Sequence, residues 1–402
     1  HRFQVKKATA QAIQKGHPWI YRRQCSSALK VLPEKSLLRL VGPTNEFLGW
    51  GIYEPLSAIA IRVFSKKSNE PTEDFFYQKL LQAWEKRQAF LKGSNTNAFR
   101  WVHGEADSFP GLNIDVYDQN AIAVFYLKTW QSLLKNTLVK LGKKLGLKQF
   151  LVKEPHGQGK SKQATCLLEL FSQKLIKFKE PIYFKEGQYL YLAFPLSGQK
   201  TGFYLDLRPV RQCLEQLNLK NQRVLNLFAH TGSLSALAEK QGAHQVVSVE
   251  ASHTCQKHFE VLKQTWHLKS TTQTWIQQDV WDYLDSDSFK KNEAFDLVIL
   301  DPPSLAKNKT SSQNLSKTWK NFIKKLLKHL KPQAKLLTIS CTDRLHEKQL
   351  KNWIQEACLK SPVQVQHLQS LSRAWDHPTH PLLKERDYFH ALLWQRSPDP
   401  KP

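Results

Sequence analysis

Four apolar runs, each closing on a polar or special residue, organise the second half of the chain. They are RVLNLFAHTG (residues 223–232), QVVSVE (245–250), FDLVILD (295–301) and KLLTISC (335–341). Continuous apolar runs separated by helical stretches predict buried strands of a doubly wound α/β sheet. Such sheets bind ligands beyond the carboxyl ends of their strands. The pattern therefore gathers a turn containing Thr231 and Gly232, the acids Glu250 and Asp301, and the thiol of Cys341 along one edge.

The first half reads differently. Short β-like runs at 37–41, 47–53 and 58–63, separated by turn residues, predict a small β-barrel over residues 1–68. Residues 66–72 (KKSNEPT) read as a linker. An amphipathic helix over 72–90 follows, then strands at 99–102, 112–117 and 121–126, a helix at 129–145, and strands at 150–153 and 189–194. Residues 72–196 thus predict a central α+β domain, with a polar loop at 154–164, and residues 197–402 the α/β domain. There is no internal repeat, and the Pro-rich tail after Arg396 is expected to fray.

A length of 402 residues suits two or three domains of roughly 150 residues. Lys and Arg number 59 against 34 Asp and Glu, a net charge of +25. An excess this large on a folded enzyme points to a polyanionic partner, most simply nucleic acid, the alternative being a lysine-rich proteome. Cysteines at 25, 166, 213, 255, 341 and 358 include no CxxC pair and no metal spacing with histidine. A reducing, cytoplasmic setting and no metal site are expected. No apolar run approaches the roughly 18 residues of a membrane span, and no signal peptide is visible. A start at His1 suggests that the natural N-terminus is longer or processed. Methionine is absent, abnormal for this length; if methionines are missing, some spacings are short by a residue.

The turn Asn226 to Ser233 follows a strand and precedes a helix, so its backbone can approach a ligand and offer helix N-terminal amides. It is neither G-x-G-x-x-G nor G-x-x-x-x-G-K-[ST], which argues against a dinucleotide or a nucleoside triphosphate. Glu250, one strand later, is suited to accept two ribose hydroxyls, and Asp279, read as ending a third strand, to meet an adenine. Each acid alone is more often a solvated loop residue. As a set at successive strand ends they favour S-adenosylmethionine (SAM). The expected cofactor contacts are Asn226, Phe228, Ala229, Thr231, Gly232, Ser233, Glu250, Ala251, Ser252, Asp279, Val280, Asp301, Pro302 and Pro303.

Further motifs are Gly16-His17-Pro18-Trp19-Ile20-Tyr21, Gly49 to Tyr53 with Ile61-Arg62-Val63, Val102 to Asp107, Pro110-Gly111-Leu112, Asp376-His377-Pro378 and Tyr388. The most specific is Gly198-Gln199-Lys200-Thr201-Gly202-Phe203-Tyr204-Leu205-Asp206-Leu207-Arg208, ahead of the first strand of the α/β domain. With DPPS at 301–304 and SC at 340–341, these resemble the PUA-domain-containing class I methyltransferases that make 5-methylcytosine in large-subunit ribosomal RNA. The likeness runs over nearly the whole chain. It departs in a glycine-poor barrel, in residues 154–166, and in His390, where the family commonly has Lys. The resemblance implies a PUA-like barrel that binds RNA, a central domain for substrate recognition, and a C-terminal Rossmann-like class I methyltransferase domain. It also implies that Lys200, Thr201, Phe203, Tyr204 and Arg208 line the methionine end of SAM or the target pocket. The implied partner is 23S ribosomal RNA, with a homodimer left open.

Cytosine C5 is a poor nucleophile. A thiolate adding at C6 turns C5 into an enamine carbon able to take a methyl group, which requires an activated cysteine beside the cofactor. Cys341, at a strand end and followed by polar residues, is the candidate nucleophile. Asp301 is the candidate to hydrogen-bond the base edge, on a loop stiffened by Pro302 and Pro303. The base must leave its stack. Methylation of an adenine or guanine amino group is the nearest rival, but such enzymes usually carry an aromatic after [DN]-P-P, and here Ser304 and Leu305 follow. A non-catalytic RNA-binding assembly factor is the other alternative.

Overall fold

The computed structural model describes residues 1–25, 32–33, 36–153, 167–172, 178–304, 312–343, 345–383 and 387–398. The expected polar loop at 154–164, Cys166, Leu305, Arg344 and the last four residues of the tail lie outside them. The chain divides into two units, one of His1–Leu205 with Trp375–Leu383, the other of Asp206–Ala374 with Lys384–Pro402.

The first unit begins with β1 (Arg2–Gln4), α1 (Lys7–Gln14), β2 (Trp19–Tyr21), β3 (Leu37–Val41), β4 (Phe47–Tyr53) and β5 (Ile59–Ser65). These strands form a sheet in the order β1-β3-β4-β5-β2. Helix α2 (Glu73–Leu91) starts where Thr72 caps the Phe75 amide at 3.3 Å and Glu73 and Asp74 face the positive end of the helix dipole. Then come β6 (Ala98–His103), β7 (Leu112–Tyr117), β8 (Asn120–Phe125), α3 (Lys128–Lys144), β9 (Gln149–Lys153) and β10 (Leu167–Ser172), in a sheet ordered β10-β9-β8-β7-β6. Strands β11 (Ile182–Glu186) and β12 (Tyr189–Ala193) make a hairpin, of which the sequence pattern had indicated only the second.

The N-terminal sheet buries a core of its own around Phe3, Ile20, Leu38, Leu40 and Ile61, and it also packs across the 66–72 linker. Trp50, Ile52 and Phe64 of the N-terminal sheet share a buried cluster with Phe76, Trp101 and Trp130, and the rings of Phe64 and Trp130 meet edge to face at 5.3 Å. The segment Trp375–Leu383 and the block 199–205, both read as part of the α/β domain, also belong to this first unit. The segment is tied in by polar contacts: Asp376 Oδ2 accepts the Arg100 amide at 2.9 Å, and Asp376 Oδ1 lies 2.9 Å from His377 Nδ1.

The second unit holds α4 (Arg208–Glu215), β13 (Arg223–Leu227), α5 (Ser233–Lys240), β14 (Gln245–Val249), α6 (His253–Thr265), β15 (Gln273–Ile276), α7 (Val280–Asp285), α8 (Asp287–Lys290) and β16 (Phe295–Leu300). It continues with α9 (Ser312–Leu327), β17 (Leu330–Cys341), α10 (Glu347–Cys358), β18 (Val365–Leu371) and β19 (Phe389–Arg396). The sheet order is β15-β14-β13-β16-β17-β19-β18. Neighbours are parallel except around β19, which runs antiparallel to both β17 and β18. The four apolar runs are β13, β14, β16 and β17. Trp319, Phe322 and Ile323 of α9 and Leu350 and Ile354 of α10 bury against Val298, Leu300 and Leu336 of the sheet.

Candidate active site

Register sets the site. Leu227 pairs with both Val249 and Leu300, and Val249 with Ile276. The residues one step beyond these partners, Phe228, Glu250 and Asp301, therefore leave the sheet at one level. Leu300 pairs with Thr338, which puts Asp301 level with Ile339, so Cys341 sits two residues past that level on the adjacent strand. With a strand rise of about 3.3 Å and a spacing of about 4.8 Å, its α-carbon is roughly 8 Å from that of Asp301.

The turn after β13 is built for close approach. Phe228, His230 and Gly232 all have positive φ, at 60°, 50° and 72°. The Gly232 amide donates to the Ala229 carbonyl at 2.9 Å, and Gly232 caps α5. A β-carbon on Gly232 would sit 2.2 Å from the Phe259 ring, so glycine is needed on both counts. Thr231 and Ser233 are buried at the start of the helix. Asn226 is buried as well, and its amide donates to Ser235 Oγ at 2.8 Å, which also receives the Ser248 hydroxyl at 2.7 Å. Ser235 and Ser248, which pin the turn, were missed because small polar residues inside apolar elements carry no periodic signal.

Glu250 is half-buried. Its Oε2 accepts the His230 amide at 3.1 Å and its Oε1 the Ser252 amide at 2.9 Å. One carboxylate thus fixes the turn after β13 and the entry to α6, while lone pairs on both oxygens stay available for further donors. Ala251 is exposed, and Ser252 caps α6 through the Cys255 amide.

Asp279 corrects the expectation. Strand β15 ends at Ile276, and Asp279 instead caps α7, with Oδ1 accepting the Trp281 amide at 2.8 Å. An exposed acid before an apolar stretch reads alike as strand end or helix cap. Val280 behind it is buried in the core.

Asp301 is half-buried, and its amide reaches the Leu227 carbonyl at 3.4 Å. Pro302 is buried, while Pro303 and Ser304 are exposed. Cys341 ends β17 opposite Phe389 of β19 and is half-buried. Burial pushes the thiols of Cys25, Cys213 and Cys358 up, and that of Cys255 up to about 11, which makes them poor nucleophiles. His390, opposite Ser340, lies 2.6 Å from the Leu345 carbonyl through Nε2 and holds the chain that follows Cys341. Tyr388 donates to Asp206 at 3.0 Å, and Arg208 is buried at the start of α4.

Lys200, Thr201, Phe203 and Tyr204 belong to the first unit. Thr201 is buried and donates to Asp115, with the Tyr117 hydroxyl 3.0 Å away. Phe203 packs among Phe184 and Tyr191 at 5.0 and 5.6 Å. Both side chains are committed to their own core. Lys200 is exposed, with its ammonium 4.6 Å from the Tyr204 ring centroid, and Tyr204 donates to Gln199 at 2.7 Å.

These strand-end features fit a nucleoside cofactor: a glycine turn closed to side chains, a helix N-terminus, and an acid with acceptor capacity left over. Residues 186–372 match the family model described as S-adenosylmethionine-dependent methyltransferase. Residues 3–66 match that of a PUA-like domain. The chain carries a SAM-dependent methyltransferase domain behind a PUA-like domain. SAM is its cofactor.

A SAM-dependent methyltransferase from Streptococcus mutans shares the fold, with a TM-score of 0.82 over 98% of this chain and 99% of its own, at 20% identity. A methyltransferase solved in complex with SAH matches with the same score and coverage. A ribosomal RNA large subunit methyltransferase from Deinococcus radiodurans is 27% identical over 410 residues, covering 98% of this chain and 97% of the relative. Ribosomal RNA large subunit methyltransferase I from Aeromonas salmonicida is 27% identical over 409 residues, covering 96% and 97%. No helix among the described residues is long and apolar enough to cross a membrane.

Proposed function

We propose that the chain transfers a methyl group from SAM to C5 of a cytosine in 23S ribosomal RNA, through a transient bond between Cys341 Sγ and C6. The observation that carries this reading is the half-buried thiol at the end of β17, one strand from Asp301. The net charge of +25 and the names of the full-length relatives support RNA as the substrate.

SAM supplies an electrophilic methyl group. Glu250 holds its ribose, and the turn from Asn226 to Ser233, with Ala251, Ser252, Asp279 and Val280, surrounds the rest; Lys200, Tyr204 and Arg208 are assigned to its methionine end or to the target pocket. The Cys341 thiolate adds to C6, and the Asp301 carboxylate, accepting a hydrogen bond from the base edge, favours protonation at N3. The electron pair of the resulting enamine takes the methyl group at C5. Loss of the C5 proton to water or Asp301 then re-forms the C5–C6 double bond and expels the thiolate. Residues 1–68 and 72–196 would hold the RNA, and residues 197–402 would carry the chemistry.

Bisulfite sequencing of ribosomal RNA from a deletion strain tests the proposal. One 5-methylcytosine should disappear and return with the gene. Loss of a methylated adenine or guanine amino group instead would move the chain to the rival class, and an unchanged methylation pattern would leave an assembly factor.

A further inference from the structure

The first unit contains a pocket of about 410 Å³, within the roughly 300–1,000 Å³ usual for small-ligand sites. Three stretches that the methyl-transfer chemistry leaves unused meet there: Gly16-His17-Pro18, the turn bearing Glu105 and Ser108, and His380 of the returning segment. Lys66 and Lys67, just past β5, and Lys79 of α2 complete its wall.

The charges around it do not balance. Glu105 is engaged by Arg62 at 2.7 Å and by the Trp19 indole at 2.9 Å. Asp107 nearby takes two bonds from Arg87, at 2.7 and 2.6 Å. The acids are thus matched by arginines of their own. Among the described residues, Lys66, Lys67 and Lys79 have no acidic partner within ion-pair distance; Lys66 donates only to the Gln14 carbonyl, at 2.9 Å. Lys67 and Lys79 crowd over one ring, 6.0 and 5.5 Å from the Phe75 centroid. Burial, and then the charges of Lys67 and Lys86, pull the Lys79 ammonium below its usual pKa. Lys79 is half-buried while Lys66 and Lys67 are exposed, and holding like charges beside a half-buried ammonium is unfavourable unless an anion joins them.

We propose that this pocket binds a backbone phosphate of the RNA substrate, with Lys66, Lys67 and Lys79 as its cationic wall. A compact phosphate suits lysines, which act as point charges, and Ser108 adds a hydroxyl donor at the rim. The site would fix the register of the RNA without reading its sequence.

This inference rests on the RNA reading above. The test is filter binding of large-subunit RNA, at several salt concentrations, to the intact protein and to Lys67→Gln/Lys79→Gln. The double variant should bind about tenfold more weakly, with a salt slope shallower by about one to two units, at unchanged SAM affinity and Tm. Lys67→Gln alone, at an exposed position, should show part of the same change at an unchanged Tm. Full affinity and slope in both variants would overturn the site and leave the RNA reading intact. No RNA binding by the wild type would overturn both. A further arm adds inorganic phosphate alone. Stabilisation of the wild type but not the variant, with equal RNA affinity, would show a site for free phosphate and refute the RNA assignment.

Discussion

Glu250→Ala should separate two roles of one carboxylate. In the protein its two oxygens accept the His230 and Ser252 amides at 3.1 and 2.9 Å, and their remaining lone pairs are assigned to the ribose of SAM. A hydrogen bond to a charged acceptor is worth about 1.5–3 kcal/mol. Loss of one such bond weakens SAM by a factor of about 10 to 150 at 1.36 kcal/mol per decade. Loss of the amide anchors loosens the turn and can only add to this. Calorimetry with SAM measures the total. Repeating the titration with a SAM analogue lacking the ribose hydroxyls isolates the direct part. Wild type should lose most of its affinity for the analogue, while the variant should barely distinguish analogue from SAM. Equal discrimination by both proteins would show that Glu250 only shapes the turn, and unchanged SAM affinity in the variant would refute its assignment altogether.

Cys341→Ala should abolish methyl transfer and leave SAM affinity within about twofold, since the thiol is assigned to the base; retained turnover would exclude the covalent route. Gly232→Ala forces a β-carbon against Phe259 at a φ of 72° and should destabilise by about 2–4 kcal/mol, visible as a Tm drop of about 4–16 °C. An unchanged melt would contradict the tight turn. Burial, helped by Arg100 and His377, holds the His103 imidazole well below its ordinary pKa. Its neutral form is thus kept in the folded state while the unfolded chain takes up a proton below pH about 6.5, so this contribution is full above that pH and shrinks by up to about 1.4 kcal/mol per unit below it. Urea unfolding at pH 7.5 and 5.5 should show wild type losing more stability on acidification than His103→Gln, and equal losses would refute the assignment.

The sequence disclosed the parallel strands because a strand buried on both faces is a continuous run of apolar residues, as in FDLVILD. The polar residues closing those runs followed directly, and Glu250 and Asp301 do leave the sheet at one level. Strand β18 escaped notice because it is an edge strand whose residues are mostly exposed or half-buried, a pattern shared with loops. Asp279 was misjudged by its neighbourhood, since a helix cap and a strand end use the same residue type. The return of Trp375–Leu383 to the first unit has no local signal. It depends on contacts such as Asp376 with Arg100, 276 residues apart in sequence. Likewise Thr201 and Phe203 sit in a motif that reads as a ligand loop, yet their side chains fill a core whose other half is Asp115, Tyr117 and Phe184.

The covalent step can be caught directly. Large-subunit RNA transcribed with 5-fluorocytidine lets the thiolate add at C6 and the methyl group enter at C5, but fluorine cannot leave as the proton does, so the bond to the protein persists. Incubation with SAM and the intact protein, followed by digestion and mass spectrometry, should yield a methylated fluorocytosine attached to the peptide bearing Cys341, and none from Cys341→Ala. Turnover of unmodified RNA without any conjugate on the fluorinated RNA, or a conjugate on another cysteine, would contradict the account.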